Sequence, residues 1–353
     1  MFGMRFWLLA LGLTTIQIEP PPLSDWIASG TGETRQQRIV VLDTTHGFQR
    51  TDRMALVVAG KGEETAYWRN TRWKLEPNHT YGFRVRLQGA GSGGCAIVGA
   101  NTVNRDFVPT REWQTVEYVF RTPTDTRETF VRVGHWQWRG EILFDQPQLF
   151  PVEIVHARYD TLNLGEGETV RDGKYRFISL FEREFSNTQA PLREFTAVFN
   201  TNRWVFSPNT FVTYRHSVGD FRIRRATLRW NVPYEQNGVL AIHLRKDDND
   251  WQVVHSLRGR GSHEYEVPQA FLPARALEVR LVGQNGVIQV DRYTLDAELE
   301  RSPAANLIGK TRTLFPYQRR NDMQVKPLNL QPDAQGRWRL VIEATNTGRT
   351  AMR

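Results

Sequence analysis

The sequence predicts an all-β protein of two tandem antiparallel β-sandwiches, jelly rolls in build, followed by a short β-hairpin tail. Three observations carry this. Short runs alternating apolar and polar residues, bounded by turn residues, recur along the whole chain, whereas apolar positions at helical spacing are nearly absent. A length of 353 residues suits two domains of ordinary size with a remainder. Two segments also close alike, GEILFDQPQLFPV and GVIQVDRYTLDAEL, with Asp145 and Asp291 lying 146 positions apart, about one sandwich-sized domain.

The elements follow in chain order. Residues 1–25 place Arg5 ahead of an apolar run, Phe6 to Ile16, and a proline triplet after it. This predicts a secretory signal or a short N-terminal anchor, and with it an exported protein of the cell envelope or extracellular space. Residues 26–152 form the first predicted sandwich. In YGFRVRL, Tyr81, Phe83, Val85 and Leu87 share one face while Arg84 and Arg86 take the other, and runs at Val116 and Thr129 behave similarly. Residues 160–299 form the second, with runs at Leu277 and Val287 and turns such as EQNG and GQNG. A boundary is expected near Val152 to Asp160. Residues 300–353 hold a connector and two strand-like runs around PDAQG, too few for a core of their own, so the tail reads as a hairpin or the start of a further β-domain.

The hydrophobic fraction of 40% and charged fraction of 24% describe a folded protein and exclude disorder. The net charge of +8 comes from arginines scattered singly, with no Lys/Arg block, so a solvated surface is expected and no nucleic-acid partner. A membrane enters only through the possible N-terminal anchor. Cys95 is the single cysteine and forms no internal disulfide; in the loop-like GAGSGGCAIVGA it reads as a small, half-buried residue. Catalytic signatures are missing from the sequence: no HExxH, GxSxG, phosphate loop, GxGxxG context or CxxC. The adjacent Glu63 and Glu64 would point to opposite faces of a strand, which is wrong for a glycosidase pair.

Aromatic residues supply the candidate site. Trp136 and Trp138, at i and i+2 of one strand, are expected on one face, where a tryptophan pair could stack on the apolar C–H faces of sugars. Tyr67, Trp68 and Trp73, from YWRNTRW, could complete such a platform. The alternative for the pair is a core role. In the second half, Asn202, Arg203, Trp204 and His216 form a polar and aromatic group open to the same two readings.

Residues Trp26 to Val152 resemble a CenC-type carbohydrate-binding module, a galactose-binding-like jelly roll. The matching stretches are ALVVAGKGEETAYWRN, LEPNHTYGFRVRLQG, REWQTVEYVFRTP and GEILFDQPQL, with Trp113 and Asp145 at family positions and Gln146 where a second Asp is usual. LRKDDNDWQVVHSL resembles the acidic hairpin of discoidin-like modules, matched at Asp248, Asn249 and Trp251. The resemblance implies a polysaccharide or other glycan as partner, and a structural calcium near Asp145 and Asp291. The reading reached from the sequence is an exported, non-catalytic carbohydrate-binding protein. Its rivals are a structural or adhesive ectodomain without a glycan site and an accessory region of a larger carbohydrate-active enzyme.

Overall fold

The structure, a computed structural model, describes residues 23–43, 49–159, 162–179, 181, 187–303, 307–308, 311–316, 324–332 and 338–345. The predicted signal, up to residue 22, lies outside the described residues.

Eight strands build the first half: β1 (Trp26–Gly30), β2 (Glu33–Asp43), β3 (Gln49–Lys61), β4 (Thr65–Asn70), β5 (Thr80–Ala100), β6 (Val103–Phe107), β7 (Gln114–Arg121) and β8 (Val131–Tyr159). Two of them, β5 and β8, are long enough to serve two sheets. Residues 131–136 of β8 and 95–100 of β5 belong to a sheet ordered β1-β4-β8-β5-β6. The later part of β8 and the earlier part of β5 lie in a second sheet, β2-β3-β8-β5-β7. The expected alternation of β5 holds, with Tyr81, Phe83, Val85 and Leu87 buried against Trp73, Tyr118 and Phe144.

Where β5 and β8 cross between sheets, backbones approach too closely for side chains. A Cβ on Gly94 would lie 1.7 Å from the Trp136 carbonyl oxygen, and one on Gly91 2.0 Å from that of Arg139. The glycine-rich stretch expected as a loop around Cys95 is therefore a corner inside a strand. On β8 the corner is turned by Gln137, in the left-handed region at φ 49°. It shifts the alternation by one residue. Val131, Val133 and His135 face the core before it, and Trp138, Ile142 and Phe144 after it.

The second half repeats the plan. Its strands are β9 (Leu162–Leu164), β10 (Glu168–Arg171), β11 (Lys174–Ile178), β12 (Leu192–Phe195), β13 (Val198–Asn200), β14 (Arg203–Phe206), β15 (Phe211–Ser217), β16 (Ile223–Val232), β17 (Tyr234–Gln236), β18 (Val239–Lys246), β19 (Gln252–Leu257), β20 (Gly261–Glu266), β21 (Ala276–Gln284), β22 (Val287–Val290) and β23 (Arg292–Leu299). One sheet is ordered β12-β15-β21-β18-β19, and its partner sheet runs β20-β16-β23-β11-β10. The series β15-β21-β18-β19 has the connectivity of β4-β8-β5-β6, so the two halves are topological duplicates.

The halves also join. Strand β13 lies parallel to β6, with Phe199 beside Val103 and Asn200 beside Asn104, and β14, β22 and β17 extend the same sheet. One cluster of buried apolar residues runs through both halves. Residues 152–159, expected as an inter-module boundary, are instead the end of β8. The tail pairs onto existing strands: β24 (Leu307–Ile308) on β10, β25 (Thr311–Pro316) on residues 152–156 of β8, and β26 (Gln324–Pro332) on β8 at Ala157. The expected hairpin is β26 with β27 (Trp338–Thr345).

Candidate functional site

Directly paired residues on neighbouring strands project from the same face. The register of the first sheet therefore reads as a grid, with strands about 4.8 Å apart and rows about 6.6 Å apart. One row crosses seven strands: Ile27, Arg69, Arg132, Gly99, Asn104, Asn200 and Arg203. The next row holds Ser29, Tyr67, Gly134, Ile97 and Asp106, and a third holds Thr65, Trp136 and Cys95. The alternate residues of these strands, Ala66, Trp68, Val98, Val103, Val131 and Val133 among them, are in the core. The grid is thus the outer face of the sandwich.

Of the tryptophans between residues 23 and 303, Trp136 alone is exposed, at 50%. Tyr67 is half-buried and lies across Gly134, where a Cβ would come within 2.4 Å of the tyrosine Cβ. Its ring stacks on Phe130 with centroids 6.3 Å apart and planes 12° from parallel. The guanidinium of Arg132 covers Tyr67 at 5.5 Å from the ring centroid, and that of Arg69 covers Phe130 at 5.6 Å. Two rings and two guanidiniums are thus gathered together, with Trp136 one row beyond Tyr67 on the same face.

The electrostatics of this patch are unusual for a surface. Burial draws the Arg132 guanidinium down from the ordinary arginine range, while Tyr67 and Asp106 act in the opposite sense. The Nε atoms of Arg69, Arg132 and Arg203 and the assigned Oδ1 of Asn104 are buried without a hydrogen-bond partner among the described residues. All four belong to the first row of the grid. Cys95 is held protonated: burial, followed by the neighbouring Asp106 carboxylate, pushes its thiol up to about 12, which removes it as a nucleophile. Glu64 accepts hydrogen bonds from the backbone N–H of Lys61 (2.7 Å) and of Glu63, closing a turn.

Several predicted site residues are placed elsewhere. Trp138 is 4% exposed, so it does not share a face with Trp136; the left-handed Gln137 between them separates the pair. Trp68 is buried and donates from its indole N–H to the Val57 carbonyl at 2.9 Å. Trp73 is buried edge-on against Trp26 and Phe83. Trp204 is fully buried, donating to the Tyr214 hydroxyl at 2.9 Å. His216 is enclosed between the hydroxyls of Tyr175 (3.1 Å) and Tyr293 (2.9 Å), and burial lowers it to about 3. These five are core residues, because aromatic side chains on the inner positions of the strands fill the space between the sheets. Only Tyr67 and Trp136 of the expected platform reach the outer face.

Asp145 is buried between the guanidiniums of Arg53 (3.3 Å) and Arg86 (3.4 Å), and Arg86 in turn covers the ring of Trp113. Two cations beside one carboxylate form an ion-pair cluster, the reverse of the oxygen-rich cage calcium takes. Asp291 accepts a hydrogen bond from Asn231 Nδ2 at 2.8 Å. Among the described residues no group of three His, Cys, Asp or Glu side chains is gathered to hold a metal.

Sequence reasoning missed Phe130, Arg69, Arg132, Asn104 and Asp106. The available signal was weak. Period-two alternation puts Arg69 on the side of Tyr67 and Arg132 on that of Gly134, but only strand pairing brings them together.

No family profile matches the chain, and no curated protein matches it in sequence. Carbohydrate-binding modules of jelly-roll fold are among the solved structures similar to it. The tandem CBM22-1–CBM22-2 domain of Paenibacillus barcinonensis Xyn10C aligns at 10% identity over 78% of this chain and 94% of that one, with a TM-score of 0.27. The family 11 carbohydrate-binding module of cellulase Lic26A-Cel5E of Clostridium thermocellum aligns at 9% identity over 38% of this chain and 94% of that one, TM-score 0.25. The enzymatically active domain of tailspike protein 4 of bacteriophage CBA120 aligns at 13% identity over 37% of this chain, TM-score 0.28, and this chain spans 20% of its length. Such alignments are too distant to transfer a ligand or a residue role. What the fold and the face define together is a class: an all-β tandem sandwich with an aromatic and arginine-bearing outer sheet.

Proposed function

We propose that the chain is a non-catalytic carbohydrate-binding protein, acting at the cell envelope or outside the cell, and that the outer face of β1-β4-β8-β5-β6 receives the glycan. The observation that carries this is the exposure of Trp136 beside Tyr67. Trp136 keeps half of its mostly apolar surface open to solvent, more than any other tryptophan between residues 23 and 303. A sugar ring presents an apolar C–H face that fits such a surface, while the guanidiniums of Arg69 and Arg132, two rows along the same face, can bond to the hydroxyls of a neighbouring unit.

Retention of the full chain on immobilised polysaccharides tests the reading. Trp136→Ala should weaken retention about five- to tenfold, the equivalent of about 1–1.4 kcal/mol of stacking, while the melting temperature stays near that of the parent. Equal retention of the variant across every polysaccharide that holds the parent would remove the face from consideration. Retention of neither protein on any glycan would favour a structural or adhesive role.

A further inference from the structure

The second half contains the counterpart of the candidate face, and the two differ in one respect. Across β15, β21 and β18 the equivalent row reads Arg215, Glu278, Arg245, with the three residues directly opposed. Glu278 lies between the arginines, 2.5 Å from Arg215 Nη1 and in contact with Arg245, and Asp248 adds a second carboxylate 2.7 Å from Arg215. Arg280, one row further along, is paired with Glu194 at 2.5 Å. Every arginine of that patch has its anion within the chain.

On β4, β8 and β5 the corresponding row reads Arg69, Arg132, Gly99. A cation stands where the second half has its carboxylate, and a residue without a side chain stands where it has its second arginine. Like charges directly opposed across a strand pair are destabilising. Neither Arg69 nor Arg132 has a salt-bridge partner among the described residues, and the Nε of each is buried without an acceptor. Asp106, in the next row, is the one carboxylate of the grid; it is engaged with Cys95 and also acts on Arg132, but forms no ion pair with it. The same row continues through Asn104, which is 3% exposed with an unpartnered Oδ1, to Arg203, whose Nε is likewise unpartnered.

We infer that this row binds the anionic groups of an acidic polysaccharide, carboxylate or sulfate, so that the ligand supplies the negative charge that Glu278 supplies in the second half. This rests on the glycan reading above and narrows it. The guanidiniums are pre-set for the task. Each lies over an aromatic ring, Arg132 over Tyr67 and Arg69 over Phe130, which restrains it, and a guanidinium so placed can form the paired bonds a carboxylate or sulfate accepts. Gly99, opposite Arg132, adds no charge of its own to the row. Trp136, two rows away and about 13 Å along the sheet, lies at the scale of a neighbouring sugar unit, so charge recognition and stacking would act on different residues of one chain.

The test compares binding of the full-length protein to polygalacturonate, to its methyl-esterified form, to dextran sulfate, to dextran and to a single-stranded oligothymidylate, with Arg132→Gln and Arg132→Glu beside the parent. Tighter binding of polygalacturonate or dextran sulfate than of the neutral counterparts is expected, falling with added salt and weakened at least tenfold by Arg132→Gln. Preference for polygalacturonate would assign the carboxylate, and preference for dextran sulfate the sulfate. Arg132→Glu places a carboxylate opposite Arg69, as in the second half, and should abolish acidic-glycan binding while holding or raising the melting temperature. A fall in melting temperature with both variants would make Arg132 a structural residue and overturn the inference. Equal binding of charged and neutral polymers, unaffected by Arg132→Gln, would overturn it and leave the glycan reading standing. Binding to no polysaccharide would end both, and oligothymidylate bound as tightly as the acidic glycans would replace them with a general polyanion surface.

Discussion

Trp136 and Trp138 stand two positions apart on one strand, yet one meets solvent and the other the core. Their substitution should separate accordingly. Trp138→Ala removes a buried ring and should cost about 3–5 kcal/mol in urea unfolding, whereas Trp136→Ala should leave stability within about 0.5 kcal/mol. Similar losses in both would mean that Trp136 is also buried. A second residue-scale expectation concerns pH. The His216 ring bridges the hydroxyls of Tyr293 (2.9 Å) and Tyr175 (3.1 Å), and the Tyr175 hydroxyl donates to Glu168 Oε1 at 2.7 Å. Burial lowers His216 to about 3 and raises Glu168 to about 7. A lowered histidine leaves the unfolded chain binding the extra proton, so its contribution is lost as pH falls from 6.5 towards 3. A raised glutamate acts in the opposite sense: its contribution is present below 4.5 and lost as pH rises through about 7. The two offset one another between pH 4.5 and 6.5, and below 4.5 the histidine acts alone. Melting temperature against pH should therefore be shallow in the upper window and steeper below it, with His216→Gln reducing the lower slope. An unchanged slope in that variant would remove His216 as the source. At Asp145 the two guanidiniums already neutralise the carboxylate, so calcium and EDTA should give superimposable melting curves; a rise with calcium would show a cation site there.

At the scale of single elements, the sequence-based reading succeeds where a strand stays in one sheet and fails where it changes sheets. YGFRVRL lies within one sheet, and its alternation placed Tyr81, Phe83, Val85 and Leu87 correctly. The run from Val131 to Phe144 crosses a corner at Gln137, and alternation carried through that point puts Trp138 on the wrong side. Nothing in the residue pattern marks the crossing, because a left-handed glutamine has no signature comparable to a glycine. On β5 the corner does have a signature, the cluster Gly91, Gly93 and Gly94, but glycine clusters read equally well as loops. The close approach of β5 and β8 makes this point testable. Gly94→Ala forces a Cβ into the Trp136 carbonyl and should destabilise by at least about 1–3 kcal/mol in chemical denaturation, displacing Trp136 as it does so. A neutral substitution would show that the corner has more room than the geometry allows.

At the scale of the whole molecule, arginines scattered singly in the sequence become rows once strands pair, in one half balanced by Glu278 and in the other left without a carboxylate. That rearrangement is why a charge pattern read along the chain suggested only a solvated surface. The halves are duplicates in topology, but the β6–β13 pair and the shared core tie them together. Calorimetry should show residues of both halves unfolding in one transition, and two separated transitions would mean that the joint is weak. Stacking of a glycan on Trp136 is reported most directly by the emission of that side chain. Exposed indoles emit further to the red than buried ones, so saturation with a retained polysaccharide should shift the parent's emission to the blue. The same titration of Trp136→Ala, at polysaccharide concentrations raised to compensate its weaker binding, should give no shift. A shift that persists in Trp136→Ala, or full binding by the parent without any shift, would contradict the account.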